Sequence, residues 1–405
     1  MKINFDHWSF DLLGGCFGIA IGLGLVRFDF GIIGSLMVDA NWINIDDIGK
    51  LAAINMLGYL AGSIQQALTK SRQASIRLIL IALIVIIFSI VLEGRFIHFI
   101  SQSIFRLLCG WGAAHLCTGL PSLALEHVPP KWRRQSAGLV MCGGGIGALL
   151  GAVAIGVFSP TSAPSSWNVL ALLTVILSLP TFKLLSRNFQ LHATLQKTNS
   201  KIVREVKSKR KDRNYRISIL FIVLGFSFMQ VGQVPVILYE PLVAIKEIGL
   251  SPAVASNIDG LFGLGLILGG LIPSMISSKL TTKSLLPIIS LFGLFGVILF
   301  GISRNTSMLS ISIFLIGAWD MMIGTLTFDR LGQLCDDELH RRSWALSTCI
   351  GSLGFITFSA ATSQLSSNNI GLILVLGIFA VAIHALLEFA QYFSTIAQNS
   401  LIDSK

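Results

Sequence analysis

A chain of 405 residues that is 53% hydrophobic and 12% charged is too apolar to wrap a soluble core in a wetted surface, for which roughly a quarter of residues would be charged. Its net charge of +10 would suggest nucleic acid in a soluble protein, but here 20 of the 30 Lys and Arg residues fall in alternate short polar loops, the positive-inside pattern of cytoplasmic segments. Composition thus describes an all-α polytopic membrane protein whose partner is the lipid bilayer, with no nucleic acid.

The basic loops hold Lys70, Arg72 and Arg77; Lys131, Arg133 and Arg134; ten cations between 187 and 216; Lys279 and Lys283; and Arg341 and Arg342. The intervening loops hold only Lys50, Arg95, Lys246 and Arg304. Both termini are therefore expected in the cytoplasm, with the first apolar stretch a retained helix.

The first predicted span, residues 10–38, carries Arg27 and Asp29 among glycines near its middle. A charge at that depth costs roughly 2.5–3.5 kcal/mol on insertion scales, so it should face a cavity or a partner. The second span, 51–69, contains Asn55 and Tyr59, and its Gly58-x-x-x-Gly62 spacing admits a close helix crossing. The third, 78–92, is Leu, Ile and Val throughout, which suits a lipid-facing position. The fourth, 97–123, carries Arg106, Trp111 and His115. An uncharged run from 135 to 182, divided at 159–166, supplies two more, the fifth with a glycine face at 143, 147 and 151.

Residues 187–216 then form a basic cytoplasmic linker between residues 1–186 and 217–405. Beyond it come spans at 217–244, with Gln230, Gln233, Pro235, Tyr239 and Glu240 and an expected kink near the outer end; 252–278, with Asp259; 284–303; and 307–331, with Trp319 and Asp320. The uncharged run 343–387, divided near 366–369, completes twelve transmembrane helices in two pseudo-symmetric six-helix halves. Trp111 and Trp319, Arg133-Arg134 and Arg341-Arg342, and Gly143 and Gly351 all share an offset of 208 residues, as a duplicated unit would give. Such parallel repeats place a binding site between the halves near the bilayer midplane.

The segment Arg106-x-x-x-Gly110-Trp111-Gly112-Ala113-Ala114 resembles the fourth-helix motif of the major facilitator superfamily, and the resemblance covers essentially the whole chain. The segments Gly24-Leu25-Val26-Arg27-Phe28 and Asn55-Met56-Leu57-Gly58-Tyr59-Leu60 resemble its YbfB-type bacterial branch. The resemblance implies a bacterial inner-membrane secondary transporter that works as a monomer, alternating access to a central site by rocking two halves. Two departures stand out. After Gly62 the acidic residue of the family's G-x-x-x-D-R-x-G-R-R loop is missing, and Gly143-Gly144-Gly145-Ile146-Gly147 lacks the proline of the motif seen in drug/proton antiporters.

No G-x-x-x-x-G-K-[ST] loop exists to use ATP, and no catalytic spacing points to an enzyme. Six scattered cysteines, with no C-x-x-C pair or His cluster, imply neither metal nor cofactor. Arg27 and Arg106 are the leading substrate contacts: each lies ~4–6 Å outward of its helix midpoint by helical rise, and a guanidinium there can grip a carboxylate or phosphate in a fork. The alternative is structural pairing with Asp29 or Asp320. Asn55, Tyr59, Trp111, Gln230 and Trp319 can line the same cavity, or else pack. Asp320, Asp29 and Asp259 are candidate proton carriers, because an intramembrane carboxylate can load and release a proton. His115 and His384 are expected to serve packing, and Glu240, Glu388 and Asp329-Arg330 to anchor helix ends. The expected function is proton-coupled transport of a small anionic or zwitterionic solute. The alternatives are proton-driven export of amphipathic compounds such as drugs or siderophores, or a non-transporting receptor on the same fold.

Overall fold

A computed structural model of the chain describes residues 7–69, 71–126, 128–129, 132–158, 161–198, 216–276, 280–335, 337–363, 365 and 369–403; most of the basic linker lies outside them. In chain order the α-helices are α1 (His7–Ile19), α2 (Phe30–Asp39), α3 (Ile45–Leu68), α4 (Arg72–Glu93), α5 (Phe99–Ala124), α6 (Arg133–Met141), α7 (Gly143–Phe158), α8 (Ala163–Thr198), α9 (Arg216–Gly232), α10 (Val234–Leu242), α11 (Pro252–Met275), α12 (Thr282–Gly301), α13 (Thr306–Leu334), α14 (Asp337–Ser363) and α15 (Ile370–Asp403). Among the described residues, ten helical stretches are long and apolar enough to cross a membrane. In the most apolar of them, α4, Ile81, Ile84 and Phe88 are exposed, so its outward face is a hydrocarbon surface suited to lipid.

The two remaining long helices, α3 and α5, have 24 and 26 residues. At 1.5 Å per residue they are about 36 and 39 Å long, enough for a hydrocarbon core of ~30 Å. They are more polar than the ten because they spend polar groups on each other. Asn55 Nδ2 donates to the Arg106 carbonyl at 2.9 Å, Trp111 Nε1 donates to Gln65 Oε1 at 2.8 Å, and His115 Nδ1 lies 3.0 Å from Gln66 Oε1. Glycine makes this approach possible: a Cβ at Gly58 or Gly62 would strike the Leu107 or Trp111 carbonyl, and one at Gly110 the Asn55 carbonyl. The start of α3 is fixed by a capping box, in which the Asn44 backbone N–H donates to Asp47 Oδ2 at 3.0 Å.

The first span is not the regular helix expected over residues 10–38. Between α1 and α2 the chain winds as a π-helix, Ala20–Phe28, closed by the Asp29 N–H donating five residues back to the Gly24 carbonyl at 3.2 Å. Gly24 lies against the backbone of Gly147 and Ala148, and Gly22 against the Ala113 carbonyl, so this wide turn is clasped between α7 and α5. The span after the linker breaks at its middle, and near its outer end, where a kink is expected, it winds as a second π-helix, Val243–Glu247. The helices α9 and α10 meet at Gln233, two residues before Pro235, whose missing N–H cannot continue the ladder.

The parts of the chain before and after the linker meet on small residues. Gly145 on α7 lies against the Gly263 carbonyl of α11, and Ser256 Oγ donates to the Ala152 carbonyl at 2.8 Å. Nearer the loop at residues 40–44, Gly31 on α2 abuts the Ile237 carbonyl of α10, and Gly49 on α3 abuts the Ser359 carbonyl of α14. These contacts close that end of the bundle.

Candidate functional site

A cavity of about 80 Å³ lies where the π-helical stretch, α3, α9, α13 and α14 converge. It has room for several waters at ~15 Å³ each. Its polar lining includes Arg27, Tyr59, Gln230 and Asp320, and its walls include Phe28, Met56, Phe226, Met321 and Trp344.

Arg27 is presented by the π-helical stretch. Its Nη2 donates to Gln230 Oε1 at 2.7 Å, across 203 residues of sequence. Its guanidinium carbon lies 5.6 Å from the Phe28 ring centroid and 5.0 Å from that of Phe355. Desolvated cation–π contacts of this kind contribute up to about 2 kcal/mol, comparable with the insertion cost of the charge. Among the described residues Arg27 Nε has no hydrogen-bond partner, so the site keeps an unused cationic donor.

Asp320, at the middle of α13, makes no direct ion pair with Arg27; Gln233 stands between them. In the amide orientation that satisfies both its ends, Gln233 donates from its nitrogen to Asp320 Oδ2 at 2.8 Å and accepts at its oxygen from Arg27 Nη2 at 2.9 Å. The opposite charges are thus joined through a neutral amide. Gln233 is legible in the sequence only as one of several polar residues within an apolar span, two residues before a proline.

The other candidates lie elsewhere. Arg106 does not share the cavity with Arg27, and it pairs with neither Asp29 nor Asp320. Its Nε lies 4.0 Å from Glu93 Oε1, and its guanidinium carbon 3.9 Å from the Phe30 ring centroid. Asn55 is committed to the Arg106 carbonyl. Trp111 borders an apolar groove between α3, α4 and α5, with Leu57, Ile64 and Leu107. Trp319 is fully buried against Gly293, with its ring 5.8 Å from that of His384. In each case helix packing has taken up the side chain.

Asp29 and Asp259 are also outside the cavity. The Asp29 carboxylate rests on Gly151 and has no hydrogen-bond partner among the described residues. It lies within electrostatic reach of Asp259, as does Glu240. Glu240 and Glu388 are fully buried, not anchored at an interface: each lies on the face of its helix that packs against neighbouring helices. His115 and His384 make helix-to-helix hydrogen bonds, His384 Nε2 lying 2.9 Å from Ser290 Oγ and Nδ1 2.9 Å from the Gly225 carbonyl.

A bundle of membrane-crossing helices around a small buried chamber, with a cation and an acid facing it, defines a membrane transporter and not an enzyme. The family model described as "Uncharacterised MFS-type transporter YbfB" matches residues 19–388, and the chain belongs to that family. Among solved structures it is similar to the crystal structure of a D-xylose–proton symporter, with a TM-score of 0.67, 16% sequence identity and 96% of each chain covered. No curated protein matches it.

Proposed function

We propose that this transporter moves a small organic solute bearing one anionic group, together with a proton, by alternating access. Arg27 holds the anionic group and Asp320 carries the proton. The observation that carries this is the pairing of charges in the cavity: among the described residues its lining holds one cation, with an unused Nε donor, linked through one amide to one acid. An arginine fork suits carboxylate or phosphate, and the Met and aromatic walls suit an apolar body attached to it. Those walls also favour export of an amphipathic compound as the second reading. The name of the similar symporter lends support to proton coupling.

On this proposal residues 1–186 and 217–405 are two six-helix halves joined by the basic linker of residues 187–216. They rock about the α7–α11 and α3–α14 contacts in a bacterial inner membrane, with both termini cytoplasmic and the protein monomeric. The glycine seams support such motion, since small residues leave little interdigitation to undo.

The solute is to be identified by metabolite profiling of cells and medium with and without the gene, then followed with purified protein in proteoliposomes. Wild-type vesicles show saturable uptake that an acid exterior accelerates, and Arg27→Ala abolishes it without loss of folded protein. Transport by Arg27→Ala with unchanged apparent affinity would sink the assignment.

A further inference from the structure

We propose, resting on the transport function inferred above, that the solute is a monocarboxylate with a short, hydroxyl-free apolar body, and that the same chamber turns away polyols, diacids and phosphate esters. Charge sets the first limit. Among the described residues the lining holds one cation, Arg27, and one acid, Asp320. When Asp320 carries its proton, a single negative charge on the solute balances Arg27. A diacid, or a phosphate ester with a charge of roughly −1.5 to −2 at pH 7, leaves net charge buried among membrane helices, which is costly.

Hydrogen bonding sets the second limit, because the other polar groups of the lining are already engaged by the protein. Thr348 Oγ1 donates to the Ala345 carbonyl at 2.8 Å and Ser352 Oγ to the Thr348 carbonyl at 2.7 Å, so both hydroxyls turn back onto α14. The Tyr59 hydroxyl bonds to Cys117, and Gln230 Oε1 accepts from Arg27 Nη2 at 2.7 Å. The rest of the chamber is thioether and ring: Met56, Met141 and Met321, with Phe226 and Trp344, whose ring centroids lie 5.3 Å apart. A solute hydroxyl placed against these walls is stripped of water and given little in return.

Volume sets the third limit. The chamber measures about 80 Å³. An apolar cavity of ~150 Å³ is what benzene fills, so the body attached to the carboxylate is smaller than a benzene ring. A chain of a few carbons meets all three limits.

The test is a matched panel of ligands. Purified protein in detergent at pH 7 is titrated with butyrate, 3-hydroxybutyrate, succinate, propyl phosphate, benzoate and erythritol, and the rise in the midpoint of thermal unfolding gives each dissociation constant. The middle four change butyrate by a hydroxyl, a second carboxylate, the kind of anion and the size of the body; erythritol is a polyol with no charge. Butyrate is expected to bind, and its response to vanish in Arg27→Gln, which also corrects for nonspecific effects of salt. The added hydroxyl and the ring each weaken binding tenfold or more, and succinate, propyl phosphate and erythritol give no shift where butyrate saturates. Should Arg27→Gln not yield folded protein, the ranking in wild type decides alone. Another member that binds as tightly as butyrate overturns the proposal, as does a panel in which nothing binds. If 3-hydroxybutyrate or propyl phosphate binds best and Arg27→Gln abolishes that binding, the class named here fails while the anion site stands. If butyrate leads the ranking but wild-type proteoliposomes carry none of it, the ligand class stands and the transport assignment fails.

Discussion

Arg106 and Glu93 form an ion pair that is buried on both sides, Nε to Oε1 4.0 Å, with the guanidinium laid over the ring of Phe30. The pair ties the end of α4 to α5 and to α2. Losing one partner of such a pair strands a charge, at a cost of about 3–5 kcal/mol. Glu93→Ala and Arg106→Met are therefore expected to lower the midpoint of thermal unfolding in detergent sharply. The double substitution Glu93→Leu with Arg106→Met recovers most of the loss and retains transport. Transport lost in the stable double variant would show that Arg106 does more than hold helices together.

Gly110 and Gly324 make a paired test of the packing. A Cβ at 110 would meet the Asn55 carbonyl, while at 324 it meets nothing within 4 Å. Gly110→Ala must push α3 from α5 and is expected to yield aggregated protein on size-exclusion chromatography. Gly324→Ala lies in the interior of α13 and gains up to ~1 kcal/mol from helix propensity. Equal folding yields for the two would refute the crossing described for α3 and α5.

Asp320→Asn removes the proton carrier while keeping a side chain of the same size. Accumulation of the solute against its gradient, driven by an acid exterior, is expected to vanish, while one-for-one solute exchange between two loaded faces persists. For wild type the sign follows from which form accepts solute: the protonated form does, so apparent affinity rises as the pH on the loading side falls. Gradient-driven accumulation by Asp320→Asn would move the coupling to another acid, with Asp29, Asp259 and Glu240 the groups to substitute next.

Trp111→Phe separates cavity lining from packing. The substitution removes the Nε1 bond to Gln65 and one wall of the apolar groove. A hydrogen bond between side chains of this kind is worth about 1 kcal/mol. A modest fall in unfolding midpoint with solute affinity within about twofold of wild type is expected; a tenfold loss of affinity would place Trp111 at the solute.

Much of the helical order was legible because bilayer thickness sets a minimum run of apolar residues, and α4 and α15 satisfy it without ambiguity. The polar residues were harder. Arg27, Tyr59, Gln230 and Asp320 do converge, but Asn55, Arg106, Trp111 and Trp319 do not, since in a membrane helix a polar side chain is equally needed to bind a neighbouring helix. The partner decides, and partners are remote in sequence: Arg27 meets Gln230 across 203 residues. Glu93 was hidden at the end of a predicted span, where acids usually meet water. Gln233 was hidden because its importance lies in standing between two charges that only the packed bundle brings near.

The π-helical stretch at Ala20–Phe28 amounts to an extra residue spliced into the winding of the first span. A wide turn absorbs an extra residue without passing its rotation on, so deleting one residue there would let the span close into a continuous α-helix with its two flanks in register, and only the side chains inside the turn would change direction. Arg27 would still be present in the sequence, but aimed at a different neighbour. The direction of the charge is therefore set by an insertion as much as by the arginine itself. A relative could keep every residue around the chamber and still lose the site through a single gap in its first helix.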